Sequence, residues 1–197
     1  MSEKKKILVI RFNAIGDVIL TSPVTTLLHA SSYEVHYVCK SAFAIILEPR
    51  PDVTKVWSFK KNLTEIIDDL KQEQFDLIID LHNNLRSKQV KSALKVKSYT
   101  LSKPRINNLL LTQFGINRLD GRHIVDRFLD VLSPLNLKPK HKQLSFYFPD
   151  NVVVLNLPKK YVAIAVGAAY FTKQIPLEKL VAVVDGLTCE VVLIGGK

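Results

Sequence analysis

The apolar run Ile7-Leu8-Val9-Ile10 ends at Arg11, and the chain then turns through Asn13-Ala14-Ile15-Gly16-Asp17 into Val18, Ile19, Val24, Leu27 and Leu28. An unbroken run of β-branched and aliphatic residues suits a parallel strand buried on both faces. The apolar residues after the turn recur at helical spacing. A strand that runs through a short turn into a helix opens a crevice at the strand's carboxyl end, where open α/β sheets take up ligands. The ionisable residue of that turn is Asp17. Two roles stand open for it. An acid in the first turn of a helix is stabilised by the helix dipole and by free backbone N–H groups. A carboxylate fixed in a crevice can also serve as a general base. Gly16 beside it permits close backbone approach or an unusual dihedral.

Further along, Glu34 to Cys39 and Val53 to Phe59 read as strands, with a short helix over Ala42 to Leu47 ended by Pro49-Arg50-Pro51. Asn62 or Thr64 caps a helix in which Leu63, Ile66, Ile67 and Leu70 recur on one face, and Phe75 to Leu81 is again a strongly apolar strand. Alternating strands and helices imply a doubly wound parallel sheet. The turn His82-Asn83-Asn84-Leu85-Arg86-Ser87 should then share the crevice with Asp17. Asn83 and Asn84 are natural turn residues, while the planar fork of Arg86 suits carboxylate or phosphate. Lys95 to Leu101 reads as a strand and Asn107 to Phe114 as a helix stopped by Gly115; Ile124, Phe128, Leu129 and Leu132 follow helical spacing, and Leu144 to Phe148 is strand-like. Tyr161 to Val166, Leu177 to Leu187 and Glu190 to Ile194 then give strand, helix and strand. The expected organisation is a Rossmann-like domain over 1–150, a linker over 151–160 and the start of a second domain over 161–197. Two strands and one helix bury no core of their own, so that second domain is expected to be incomplete.

The 197 residues are 47% hydrophobic, which excludes a disordered chain. Cys39 and Cys189 lie inside apolar runs far apart in sequence, as expected of two buried thiols in a reducing compartment. No metal-binding spacing occurs, no apolar stretch is long enough to span a bilayer, and Arg11 interrupts the only signal-like run, so a cytoplasmic location is expected. The net charge of +10 is concentrated: between His82 and Lys142 stand 13 Lys or Arg against three acids, and from Arg86 to Leu119 no acid occurs. A field of that kind favours an anionic partner.

Three segments carry a family resemblance. Arg11 through Pro23 resembles the amino-terminal signature of the lipopolysaccharide heptosyltransferases, glycosyltransferase family nine. Phe75 through Ser87 is similar to that family's strand-and-turn motif, and Val166-Gly167-Ala168-Ala169 with Thr172-Lys173-Gln174-Ile175-Pro176 resembles the opening of its second domain. Gln174 stands where the family tends to have Arg, and Ile175 where it tends to have Trp. The resemblance implies an inverting, metal-independent transferase of GT-B architecture, with no cofactor and with Asp17 as general base. It further implies a nucleotide diphosphate sugar donor, ADP-heptose-like, on the second domain at Thr172 and Lys173. The acceptor would be an anionic lipid-linked saccharide, with the enzyme peripheral to the inner membrane; the placement of positive charge, rather than the resemblance, makes Arg86, Lys88 and Arg105 of the first domain the candidates to hold it. The chain stops before the family's downstream glycine- and histidine-bearing motif, so a truncated second domain and poor turnover are part of the expectation.

Two other classes compete. A basic segment is an electrostatic footprint for nucleic acid, but Tyr99 and Phe114 are the only aromatics in the acid-free stretch, too few for a stacking platform. No nucleic-acid partner is expected. A dinucleotide oxidoreductase ranks last, because the first turn lacks the G-x-G-x-x-G that admits a pyrophosphate.

Overall fold

In the computed structural model, residues 4–102, 112–116, 120–139, 141–149, 156–168 and 171–195 are described. The chain divides into two compact units, Met1–Asn151 and Val152–Lys197. The first contains β1 (Lys6–Ile10), α1 (Ile15–Leu20), α2 (Ser22–Ala30), β2 (Glu34–Lys40), α3 (Ala44–Leu47), β3 (Lys55–Phe59), α4 (Ile67–Gln72), β4 (Leu77–Asp80), α5 (Leu85–Leu94), β5 (Ser98–Thr100) and α6 (Ile124–Asp130). The second contains β6 (Tyr161–Ala165), α7 (Leu177–Asp185) and β7 (Glu190–Ile194).

The five strands of the first unit pair in the order β3-β2-β1-β4-β5, all parallel. Ile7 to Ile10 are wholly buried because the sheet is covered on both faces. Ile7, Val9, Tyr37, Cys39, Leu77 and Ile79 point into one core with Val24 and Leu28 of α2 and Phe128 of α6. Leu8, Ile10, Val38, Trp57 and Ile78 point into the other, against Leu70 of α4 and Val90 of α5. This alternation carries the strand periodicity of two through a continuous apolar run, and each fully buried large side chain contributes about 1.5–3 kcal/mol. The parallel sheet with flanking helices is the expected doubly wound class.

β6 and β7 pair in parallel, with Tyr161 opposite Glu190 and Ala165 opposite Ile194. Leu193 and Ile194 of β7 and Val181 and Val183 of α7 are exposed.

Several local expectations change. Residues 144–148 join no sheet, because the backbone of Ser145 bonds side chains of Ser22 and Arg50 instead of a strand. Lys95 is not in a strand; it closes α5 in the left-handed conformation, φ 53°. Cys39 is buried as expected, but Cys189 is exposed. The helix expected over Asn107 to Phe114 falls mostly outside the described residues, as does part of the expected linker. Among the described residues, no helix is long and apolar enough to cross a membrane.

Candidate active site at the carboxyl ends of β1 and β4

β1 is central: the chain leaves it for β2 and β3 on one side and returns to β4 and β5 on the other. Helical connections therefore diverge between β1 and β4, and the crevice beyond their carboxyl ends is the binding position of an open parallel sheet. Ile10 lies opposite Asp80 there, so the two following turns leave the sheet side by side.

Arg11 ties those turns together. Its Nη1 donates to the Leu81 carbonyl at 2.9 Å, its Nε donates to the Asn13 carbonyl at 3.1 Å, and its Nη2 pairs with Oδ2 of Asp17. The guanidinium also lies 5.9 Å from the centre of the Phe128 ring. Asp17 sits in the first turn of α1, whose N-cap, Ala14, offers no side-chain cap. The partner of the Asp17 carboxylate is thus a guanidinium rather than a backbone N–H at the helix start. Its side chain keeps 37% of its surface exposed, enough to meet a ligand, while Arg11 keeps only 12%. Gly16 adopts no left-handed dihedral, and a Cβ there meets nothing within 4 Å. The value of Gly16 is therefore the open space beside Asp17.

The β4 side is organised by Asp80, which is completely buried. Its Oδ1 accepts from the backbone N–H of His82 at 3.0 Å and of Asn83 at 2.8 Å, and its Oδ2 accepts from Ser87 Oγ at 2.8 Å. Lys91 Nζ lies 2.9 Å from the same oxygen and donates to Thr100 Oγ1 at 2.8 Å. Those bonds satisfy a charge that burial would otherwise make costly. They also hold Asn83 at φ 47°, with its Nδ2 donating to the Leu101 carbonyl at 2.7 Å. Asn84 caps α5 by accepting from Ser87 N at 2.9 Å, and the His82 ring packs 4.9 Å from that of Phe12.

Arg86 and Lys88 are both exposed on the first turns of α5. Two residues apart on a helix is about 200°, so they flank the buried Ser87–Val90 stripe on opposite sides. Arg105 lies outside the described residues. Thr172 and Lys173 are exposed in a single 3-10 turn, Phe171–Lys173, after β6 of the second unit. The sequence reading misses Arg11, Asp80 and Lys91 as site builders. Their common signal is a charged residue at the end of a buried strand, directly after one, or in the helix that follows it.

One group of donors among the described residues has metal-ligand proximity: atoms of Glu34, His36 and Glu73 lie within 4.8 Å of one another. The protein's own groups already occupy them. Trp57 Nε1 donates to His36 Nδ1 at 3.1 Å, His36 Nε2 lies 2.8 Å from Glu34, and Lys6 Nζ donates to Glu73 at 2.7 Å with Lys55 Nζ at 3.4 Å. The Lys6 ammonium holds Glu73 below its usual carboxylate range. The group stands at the amino ends of the strands, away from the crevice.

No family model and no curated protein matches the sequence. The fold, by contrast, matches solved structures. A family-nine glycosyl transferase from Veillonella parvula superposes with a TM-score of 0.68 at 18% identity, over 98% of this chain and 69% of that one. The E. coli heptosyltransferase WaaC with ADP gives 0.70 at 16% identity, over 98% and 67%. The fold is that of the GT-B heptosyltransferases. E. coli ADP-heptose lipopolysaccharide heptosyltransferase II is likewise similar, with a TM-score of 0.65 at 16% identity over 95% and 63%. The chain spans about two thirds of the length of these heptosyltransferase-fold structures.

Proposed function

We propose that the chain is the acceptor-side domain and the beginning of the donor-side domain of a glycosyltransferase, with domains over 1–150 and 161–197 joined by a linker over 151–160. The reaction is inverting transfer of a heptose or similar sugar from an ADP-heptose-like donor to an anionic, lipid-linked saccharide of the lipopolysaccharide type. The observation that carries this reading is the half-exposed Asp17 carboxylate, oriented by Arg11 in the crevice between β1 and β4.

Asp17 takes the proton of the acceptor hydroxyl as the oxygen bonds to the anomeric carbon and the bond from that carbon to the diphosphate breaks. Lys173 offsets charge on the departing diphosphate, and Thr172 offers it a hydroxyl donor. Arg86, Lys88 and Arg105 hold acceptor phosphates or carboxylates. No metal ion enters these steps, and the enzyme works in the cytoplasm, peripheral to the inner membrane. The fold likeness to structures crystallised with ADP and with a fluorinated ADP-heptose supports a nucleotide-sugar donor.

ADP release from ADP-heptose, followed with and without a phosphorylated lipid acceptor and in the presence of a chelator, tests the reading. Acceptor-dependent release that survives chelation is expected. Donor consumption at equal rate without acceptor would contradict a transferase, and loss of activity on chelation would contradict the metal-independent route.

A further inference from the structure

Beyond the carboxyl end of β5, one strand over from β4, lies a cavity of about 370 Å³. Thr100, Leu101 and Ser102 form its sheet side, and Asp120, Arg122, Arg127 and Asp130 close it from α6 and the segment before α6. Both walls run on into the Asp17 crevice. Leu101 N donates to the Asp80 carbonyl at 2.8 Å, and the Leu101 carbonyl accepts from Asn83 Nδ2 at 2.7 Å, so the end of β5 is tied to the turn after β4. On the other wall Arg127 adjoins Phe128, whose ring lies under the same Arg11 guanidinium that pairs with Asp17. Neighbouring strands lie about 4.8 Å apart, so Thr100, two strands from β1, stands roughly 10 Å from the strand end that leads into Asp17. A disaccharide spans that distance, and one sugar ring does not.

In a chain of net charge +10 this cavity is balanced, with two guanidiniums and two carboxylates in its lining. Arg122 donates from Nε to Asp120 at 3.0 Å and from Nη1 to Asp130, and Arg127 Nη2 donates to the other Asp120 oxygen. Arg127 and Arg122 hold the Asp120 carboxyl down to about 2, so it stays a hydrogen-bond acceptor at neutral pH. The Asp120, Arg122 and Asp130 side chains are about half exposed. A carboxylate has more lone pairs, and a guanidinium more N–H donors, than these pairs consume. Thr100 Oγ1 already accepts from Lys91 Nζ at 2.8 Å, which leaves its hydroxyl proton to donate. Ser102 adds a second hydroxyl. A phosphate or carboxylate entering here meets Asp120 and Asp130, and like charges at close range are costly. An uncharged polyol meets donors and acceptors together.

We propose that the cavity at the end of β5 is a subsite for an uncharged sugar ring of the acceptor, read through its hydroxyl groups and lying one ring away from the hydroxyl that Asp17 deprotonates. The inference rests on the proposed transferase reading and divides recognition of the acceptor in two, with anionic groups held by the basic side chains named above and neutral hydroxyls held here. Sugar binding is read without donor or turnover. Its failure therefore leaves the transferase to the ADP-release assay, and failure of ADP release leaves this site to the binding measurement.

Saturation-transfer NMR on the full chain tests it, with the methyl glycosides of glucose, galactose and mannose as probes and glucose 6-phosphate as the charged comparison, at low and high salt. At least one methyl glycoside should receive transfer that salt does not diminish, because no net charge is there to be screened, and glucose 6-phosphate should bind no better. Asp130→Ala should weaken that glycoside by about tenfold or more, the loss of a hydrogen bond to a charged group, and Ser102→Ala by a smaller factor. Melting temperatures should hold in both, since an exposed ion pair adds little stability. Ser102→Ala disturbs no ion pair, so weakened binding in that variant reports the cavity itself. Absence of transfer from all three glycosides, or full binding by both variants, would overturn the proposal. So would stronger binding of glucose 6-phosphate that salt abolishes, which would assign the cavity to an anion.

Discussion

Gly16 leaves open space beside Asp17, the proposed general base. Because a Cβ at Gly16 meets nothing, Gly16→Ala should leave the fold intact and stabilise it by about 0.4–1 kcal/mol through the unfolded chain. The same methyl should weaken binding of a ligand that approaches the turn. Thermal melts beside acceptor titrations separate the two effects; unchanged affinity would place the ligand elsewhere. The thiols give a second check at this scale. Burial pushes Cys39 up to about 12, whereas Cys189 is exposed. One equivalent of thiol should therefore react rapidly with an alkylating agent in the native protein, and mass mapping should find it at Cys189. Asp17 is legible in the sequence because an ionisable residue stands in a turn after a buried strand. Arg11 is not, since its meaning rests on the Leu81 carbonyl, 70 residues away. In sequence it reads as the end of an apolar run and the start of the family-like segment, with nothing to show which groups it ties together.

Among the elements, the strands are legible wherever burial on both faces writes a continuous apolar run. α5 is not, because its ten residues include only Ser87 and Val90 as buried positions, so it carries almost no amphipathic signal. What fixes α5 is Asp80, and Asp80→Ala should destabilise the first unit by about 3–5 kcal/mol by leaving Lys91 and two backbone N–H groups without their acceptor. Chemical denaturation measures it; a loss below about 1 kcal/mol, the scale of a single hydrogen bond, would contradict the buried organising role. The turn after β3 makes a pH-dependent prediction. Glu65 accepts from the backbone N–H groups of Asn62, Lys60 and Lys61, which lower its pKa from 4.5 to about 2. A depressed carboxylate stabilises the fold above its unfolded pKa and loses that contribution as pH falls through the folded value. Glu65→Gln should therefore flatten the part of the stability curve between pH 4.5 and about 2. An unchanged acid limb would show that this cap does not persist in solution.

Across the whole molecule, the +10 charge is legible in sequence, but the direction each cation faces is not. Lys91 turns inward to Asp80, whereas Arg86 and Lys95 are exposed at opposite ends of α5, roughly 14 Å apart along the axis. Arg86 lies at the crevice end. Arg86→Glu should weaken an anionic acceptor, and Lys95→Glu should not, with the difference shrinking as salt rises because screening acts over roughly 8–10 Å. Equal weakening would mean a diffuse field. The central claim is that Asp17 moves a proton in the β1–β4 crevice, and the most direct measurement is acceptor-dependent ADP release by Asp17→Asn against wild type, with melting temperatures recorded for both. A fall in kcat of about 10²–10⁴ with the melting temperature preserved is expected, since the amide keeps the shape and cannot take the proton. Equal turnover at equal stability would contradict the claim and leave Asp17 as a first-turn helix acid paired with Arg11.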